Sequence, residues 1–223
     1  MSGATWGALF DWDGVIIDSA NAHEKSWEQL SRDVGLPLPS DHFLRGFGKR
    51  NEVIFPEILE WSTDPVQIRE WSSLKEKRYR EIVEAEGVKV LPGVRTYLQS
   101  LLDAGIPAIV GTSTQLENVK LIFDKMDLAS FFQGIVSSED VTCGKPDPEV
   151  FLKAAKHAGQ PPERCVVFED AVYGIEAAKA GGMYAVGVLT THPDTGLPGA
   201  DRWIKQLDEL PLDGSFPIPD AMP

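Results

Sequence analysis

The second half of the chain alternates short apolar runs with segments of helical period. The runs are "IPAIVGT" (106–112), "GIVSS" (134–138), "CVVFED" (165–170) and "MYAVGV" (183–188), each short and rich in Val, Ile and Ala. They read as strands buried on both faces. Helical segments separate them: "VRTYLQSLLDAG", "LENVKLIFDKMDL", "PEVFLKAAKHAG" and "GIEAAKAGG". In the third of these, Val150, Phe151, Ala154, Ala155 and Ala158 share one side. A further short strand, "GALFD" (7–11), opens the chain. Strand and helix in alternation predict an α/β unit whose parallel sheet is covered on both faces.

Between residues 20 and 86 the texture changes. "HEKSWEQLSRDVG" carries Trp27, Leu30 and Val34 at helical spacing and stops at Gly35, a residue suited to a left-handed helix cap. "NEVIFPEILEW" and "PVQIREWSSLKEKRYREIVEAEG" are also expected to be helical, and no strand alternation interrupts them. The implied organisation is an α/β core over 1–18 and 91–210, a helical insertion over 19–90, and a proline-rich tail, 211–223, expected to fray.

Composition narrows the function classes. The 223 residues are 43% hydrophobic and 25% charged, as in ordinary globular proteins, and the formal net charge is −13. Such an acidic chain is a poor match for nucleic acid or for an anionic membrane, so neither is expected as a partner. No apolar run is long enough to span a bilayer. The two cysteines, Cys143 and Cys165, are too few for a disulfide framework and are expected as free thiols. "MSGATWGALFDWDG" lacks the basic segment and long apolar run of a secretory signal. A cytoplasmic monomer is the expectation.

In open parallel sheets, sites lie beyond the carboxyl ends of the strands. The first strand ends in Asp11-Trp12-Asp13-Gly14, the second in Thr112-Ser113-Thr114, and the fourth in Glu169-Asp170. After the third comes "CGKPDPEVF" with Lys145. Each has an ordinary structural explanation by itself: a helix cap, a turn, a solvated lysine, an acid at a helix dipole. Four strand ends supplying carboxylates, hydroxyls and an ammonium to one edge point instead to phosphoryl transfer. Asp11 is the candidate nucleophile and Asp13 the candidate general acid/base. Lys145 and Thr112 are candidates for holding the transferring group. A hard cation, Mg²⁺, bound by Asp11, by Glu169 or Asp170, and by substrate oxygens, would offset the repulsion among these carboxylates.

As a set, "DWDGVIIDS", "GTS", "GKPDPEVF" and "EDAVYGIEAAKAGG" resemble the four motifs of the haloacid dehalogenase superfamily, in order and spacing. The likeness is to its β-phosphoglucomutase-like phosphatases and phosphomutases. It implies a Rossmann-like parallel core with a small helical cap inserted after the first strand. It also implies Asp11 as nucleophile, Asp13 as acid/base, Thr112 and Lys145 on the phosphoryl group, and Mg²⁺ at Asp11, the Asp13 backbone carbonyl, Glu169 and Asp170. Trp12 is bulkier than the family's usual residue there and is expected to pack. In the cap, His23 falls where the mutases have a histidine. Where they carry a Gly-x-Ser-Arg stretch that grips a second phosphate, this chain has "RGFGKRNEV". Ser113, His23, Lys49, Arg50 and a cap lysine, Lys75 or Lys77, are the expected contacts to substrate.

The resemblance thus implies hydrolysis of a small phosphorylated metabolite such as a sugar phosphate, with a phosphomutase as the alternative. An acid at position 13 and the Glu169–Asp170 pair argue against a dehalogenase. A phospho-receiver domain, which is not an enzyme, also gathers acids, a hydroxyl and a lysine at strand ends. It would need an accepting Asp at the end of the third strand, where "GIVSS" has none, and it has no helical insertion.

Overall fold

The computed structural model describes residues 6–46, 48–192 and 196–217. In chain order the elements are β1 (Gly7–Phe10), β2 (Ile17–Asp18), α1 (Ala20–Val34), α2 (His42–Gly46), α3 (Asn51–Val53), α4 (Pro65–Glu86), β3 (Lys89–Val90), α5 (Val94–Ala104), β4 (Ala108–Gly111), α6 (Leu116–Met126), β5 (Gly134–Val136), α7 (Glu149–His157), β6 (Cys165–Glu169), α8 (Val172–Ala180), β7 (Tyr184–Val188) and β8 (Arg202–Ile204). The chain forms two compact units, Met1–Asp18 with Val90–Pro223, and Ser19–Lys89.

The first unit is built on six strands in the order β5-β4-β1-β6-β7-β8, every neighbouring pair parallel. This is the Rossmann-like α/β arrangement, in which the chain winds outward in both directions from a central first strand. The strands are short because both faces are covered and the apolar runs are short. Leu9, Ile109, Val136 and Val167 enter one buried cluster with Phe151 and Ala154 of α7 and Ile175 and Ala178 of α8. On alternate positions Phe10 stacks on Phe168 at 4.5 Å, with Tyr97 of α5 against both edge-on. Period-two alternation is therefore present inside strands whose residues are all apolar. The sixth strand, β8, was not foreseen. It has three residues, and its central Trp203 is over half exposed, so it carries no apolar run.

The helical unit has its own core of Trp27, Leu30, Ile54, Phe55, Ile58, Leu59 and Ile68. Helix α1 ends as expected, with Gly35 left-handed and its N–H donating to Ser31. The expected helix over "NEVIFPEILEW" is broken into a single α-turn and a π-turn, Ile54–Ile58. Pro56 cannot donate a backbone hydrogen bond, and the ladder widens around it: Leu59 N–H reaches Ile54 O at 2.9 Å.

Of the tail expected to fray over 211–223, the part up to 217 is held, and 218–223 lie outside the described residues. Phe216 packs edge-on against Trp6 and Tyr184 at 5.7 and 5.2 Å between ring centroids. Trp6 Nε1 donates to Gly214 O at 3.0 Å, and Arg202 to Pro217 O at 2.7 Å. One aromatic ring and two hydrogen bonds to the backbone anchor this polar, proline-rich segment. Phe216→Ala should lower stability by about 1–3 kcal/mol, less than the roughly 3–5 of a fully buried phenylalanine. Urea denaturation reads this as a lower midpoint; an unchanged midpoint would mean the tail adds nothing.

Candidate active site

The carboxyl ends of β1, β4 and β6 bring the site together. Backbone pairing runs one residue past each strand: Asp11 N–H donates to Phe168 O and Thr112 N–H to Val136 O, both at 2.9 Å. Asp11 and Thr112 are thereby fixed by the sheet itself. Glu169 is the last residue of β6, and Asp170 comes directly after it. Asp11, Thr112, Lys145, Glu169 and Asp170 are all buried, Glu169 and Asp170 completely.

Lys145 stands between two acids, with Nζ 2.9 Å from Asp11 Oδ1 and 2.6 Å from Glu169 Oε1. The contact to Glu169 is a hydrogen bond. That to Asp11 is an ion pair off the hydrogen-bond direction, so Asp11 Oδ1 has no hydrogen-bond partner. Burial opposes the charge on Lys145, but Asp11 and Glu169 outweigh it and hold the ammonium above the ordinary lysine range. Asp11 is in the opposite position. Burial pushes its carboxyl up to about 7; Lys145 pulls down, while Glu169 and Asp13 add to the rise. Asp170 is raised well above the usual carboxylate range by burial, then by Glu169 and Asp11.

Oxygens of Asp11, Glu169 and Asp170 lie within 4.8 Å of one another. Two features show what this trio fits. Asp170 Oδ1 is buried without a hydrogen-bond partner, as is Asp11 Oδ1. The backbone around them also leaves space for carboxylates and for nothing larger. A Cβ at Gly174 would fall 1.8 Å from Glu169 Oε1, and at Gly14, where φ is +76°, 1.8 Å from Asp170 Oδ2. Buried, unpartnered carboxylate oxygens are the donor set of a hard divalent cation. The remaining oxygens are oriented by the protein. Glu169 Oε2 accepts Ala171 N–H at 2.7 Å, and Asp170 Oδ2 accepts the Thr191 hydroxyl.

Asp13 lies apart from this trio. Its carboxylate accepts a short hydrogen bond from Thr114 Oγ1, and Thr112 Oγ1 accepts Thr114 N–H at 3.1 Å. Ser113 is partly buried between them. Trp12 packs, as expected, against Phe123 and Phe132.

The other expected residues belong to the helical unit. His23 stacks on Tyr79, with ring centroids 4.1 Å apart. Lys75 is 3% exposed: its ammonium meets His23 Nδ1 at 2.8 Å and Glu76 Oε1 at 3.0 Å, over the faces of Trp27 and Tyr79. Expected as a substrate contact, it is taken up inside its own unit. Asn51 donates to the same Glu76 oxygen at 2.9 Å. Arg50 opens α3 with Nε 3.4 Å from Glu52, and Lys49 is partly exposed. His42 is structural, its ring on Pro39 O at 2.7 Å. Cys143 and Cys165 are free thiols, the latter buried.

Sequence reasoning missed Thr190 and Thr191. They come just after β7; Thr190 Oγ1 donates to Gly14 O at 2.6 Å, and Thr191 orients Asp170. Like the other site residues they lie just beyond a strand's carboxyl end, here that of β7, and that position is the signal that marks them.

Residues 7–182 match the haloacid dehalogenase-like hydrolase family. A 5-amino-6-(5-phospho-D-ribitylamino)uracil phosphatase of Arabidopsis thaliana is 35% identical over 213 residues, 94% of this chain; the match spans 57% of that protein's length. The β-phosphoglucomutase of Bacillus subtilis is 30% identical over 92% of this chain and 91% of its own. The fructose-1-phosphate phosphatase YqaB of Escherichia coli is 30% identical over 82% of this chain and 95% of its own. Among solved structures, a haloacid dehalogenase hydrolase from Entamoeba histolytica superposes with a TM-score of 0.82 at 26% identity, covering 94% of this chain and 96% of that one. A β-phosphoglucomutase from Clostridium difficile gives 0.81 at 24% identity over 92% of both, a likeness of fold. With a family match across most of its length, and relatives 30–35% identical along four-fifths of it or more, the chain belongs to the haloacid dehalogenase-like hydrolases.

Proposed function

We propose that the protein is a Mg²⁺-dependent phosphatase that works through an aspartyl phosphate on a small phosphorylated metabolite, a sugar or sugar-alcohol phosphate. The observation that carries this reading is the pairing of Asp11 with Lys145 beside two further buried carboxylates, Glu169 and Asp170, of which Asp170 Oδ1 has no hydrogen-bond partner. A carboxylate held by an ammonium at a strand end is a nucleophile in waiting; three buried carboxylates crowded around a single ammonium are a cation site.

In this reading an oxygen of Asp11 attacks phosphorus and the ester oxygen departs, taking its proton from Asp13. Asp13 then takes a proton from water, which attacks the aspartyl phosphate. The bond from phosphorus to Asp11 breaks, and inorganic phosphate leaves. Thr114, bonded to Asp13, orients that carboxyl toward the leaving group. Lys145 holds Asp11 ionised and faces the phosphoryl oxygens, with the Thr112 hydroxyl beside them. Asp11, Glu169, Asp170 and the Asp13 carbonyl would hold Mg²⁺. Its charge would counter the repulsion between carboxylates and an anionic substrate. Since the site is acidic in an acidic chain, attraction of a phosphate ester depends on Lys145 and this cation.

The substrate class rests on the relatives, whose names specify phosphate esters of ribityl, fructose and other polyhydroxy compounds. A phosphomutase is the second reading, favoured by the Bacillus relative and by His23 at the mutase position. A mutase must hold a second phosphate, and the stretch that would do so has Lys49 and Arg50 in place of Ser-Arg, with Arg50 turned toward Glu52.

Three outcomes test this reading. Incubated with Mg²⁺ and a panel of hexose, pentitol and hexitol monophosphates, the protein should release inorganic phosphate without a bisphosphate primer. Conversion of β-glucose 1-phosphate to glucose 6-phosphate with little phosphate released, accelerated by a bisphosphate, would select the mutase.

Asp13→Ala should slow turnover of alkyl phosphates by roughly 10²–10⁴. The loss should be smaller for p-nitrophenyl phosphate, whose leaving group needs no proton. Equal losses on both would remove Asp13 from proton transfer.

Asp170→Asn should raise the melting temperature in metal-free buffer at neutral pH. It removes a carboxyl that must otherwise either stay charged against burial and its acidic neighbours or take up a proton, while its amide oxygen still accepts from Thr191. Mg²⁺ at 100 times its dissociation constant should stabilise the unsubstituted protein by about 2.7 kcal/mol and the variant far less. Equal Mg²⁺ stabilisation of both would place the metal elsewhere.

A further inference from the structure

Lys145 is the cation on which the acid trio depends, yet the segment that carries it has no helix or strand. Between the short 3₁₀ turn Ser138–Asp140 and α7, the chain runs over the surface, with Thr142 and Cys143 exposed. A lysine side chain with four rotatable bonds does not hold its ammonium in one place unless its backbone is fixed. Asp147 N–H donates to Gly144 O at 3.0 Å, and Asp147 Oδ1 accepts Glu149 N–H at 2.9 Å. Further contacts converge on Glu149, the first residue of α7.

Glu149 Oε2 accepts two consecutive backbone N–H groups, Thr142 at 2.8 Å and Cys143 at 2.9 Å. Its Oε1 accepts Lys153 Nζ at 2.6 Å, and that ammonium donates also to Asp140 O at 2.6 Å. An acid in a first helical turn ordinarily serves the helix dipole. Here Oε2 turns back onto the loop, and Oε1 is tied to it through the Lys153 ammonium. The carboxyl is held down to about 2, chiefly by Cys143 N–H and then by Lys153, so it accepts these bonds across the whole working range of pH. Two residues further along, the Phe151 ring lies 4.9 Å from Lys145 Nζ. One turn of α7 therefore clamps the peptide just ahead of Lys145 and supplies the face against its ammonium.

We propose that Glu149 is a positioning residue for Lys145: its carboxylate fixes residues 140–145 so that the ammonium stands between Asp11 and Glu169. What Lys145 does there rests on the phosphatase reading; where it is held does not. Lysine acetylation footprinting, read by mass spectrometry on the full chain without metal, tests the placement directly. Lys145 should be labelled on the order of tenfold faster in Glu149→Ala than in the unsubstituted protein, by local opening of its loop. Glu149→Gln should fall between, because its amide oxygen still accepts the two N–H groups but does not pair with Lys153. Lys75, buried in the other unit, should be labelled at an unchanged rate. In parallel, hydrolysis of p-nitrophenyl phosphate with Mg²⁺ should show kcat down about tenfold in Glu149→Ala and KM within about threefold, as for a group that acts on the transition state through another. Unchanged labelling of Lys145 overturns the proposal. So does faster labelling of Lys145 and Lys75 together, which is general loosening, or an unchanged kcat in an active enzyme. If the unsubstituted protein hydrolyses no phosphate ester while Lys145 labelling still rises selectively, the phosphatase reading fails and the positioning stands.

Discussion

Three carboxylates and one ammonium share a space largely withdrawn from water, and one ammonium cannot balance three ionised carboxylates. Two like charges 4 Å apart repel by about 4 kcal/mol even at an effective dielectric of 20. Lys145 neutralises one acid and leaves an excess that the fold must support. The neighbouring groups answer to that excess. Ala171 N–H and the Thr191 hydroxyl donate to acid oxygens. Gly14 and Gly174 leave out the side chains that would collide with them. The arrangement is costly to stability, which is the usual state of a site shaped for chemistry rather than for packing.

The sheet makes such crowding possible. In a parallel sheet wound outward from a central strand, neighbouring carboxyl ends point the same way, and the helices beyond them diverge to either face. Asp11 and Glu169 sit on adjacent strands, in a register that pairs Phe10 with Phe168. The hydrophobic clusters on both faces hold that register, since a slip of one residue would exchange the two faces of β1. Apolar packing on the two faces of the sheet thus fixes the separation of the acids.

Much of this was legible because buried parallel strands are apolar from end to end, so a charge at a strand end stands out against its neighbours. Asp11, Glu169 and Asp170 were visible for that reason. Thr190 and Thr191 were not, because hydroxyls after a strand look like any loop. Strand β8 escaped because half of an edge strand faces solvent, and Trp203 gives it no apolar run. The π-turn at Pro56 and the anchoring of Phe216 depend on contacts between residues distant in sequence, or on how the ladder accommodates one missing donor. The burial of Lys75 was equally hidden: in "SLKEKRYREI" it is one cation among several, and only the positions of His23, Glu76 and Trp27 single it out. The strand ends declared the chemistry, whereas the groups that orient them became visible only in three dimensions.

The helical unit leaves the α/β unit after Asp18 and returns at Val90. Just outside those points, Leu91 N–H donates to Ile16 O at 3.0 Å. Departure and return are therefore neighbours in space, and the sheet closes without any residue in between. An insertion attached at two adjacent points imposes almost no geometric demand on its host. The roughly seventy residues between them could be replaced by a short turn or exchanged for another helical unit with the strand order left intact. A host built this way tolerates transplantation: its acidic hub keeps its scaffold whichever graft is joined at those two points.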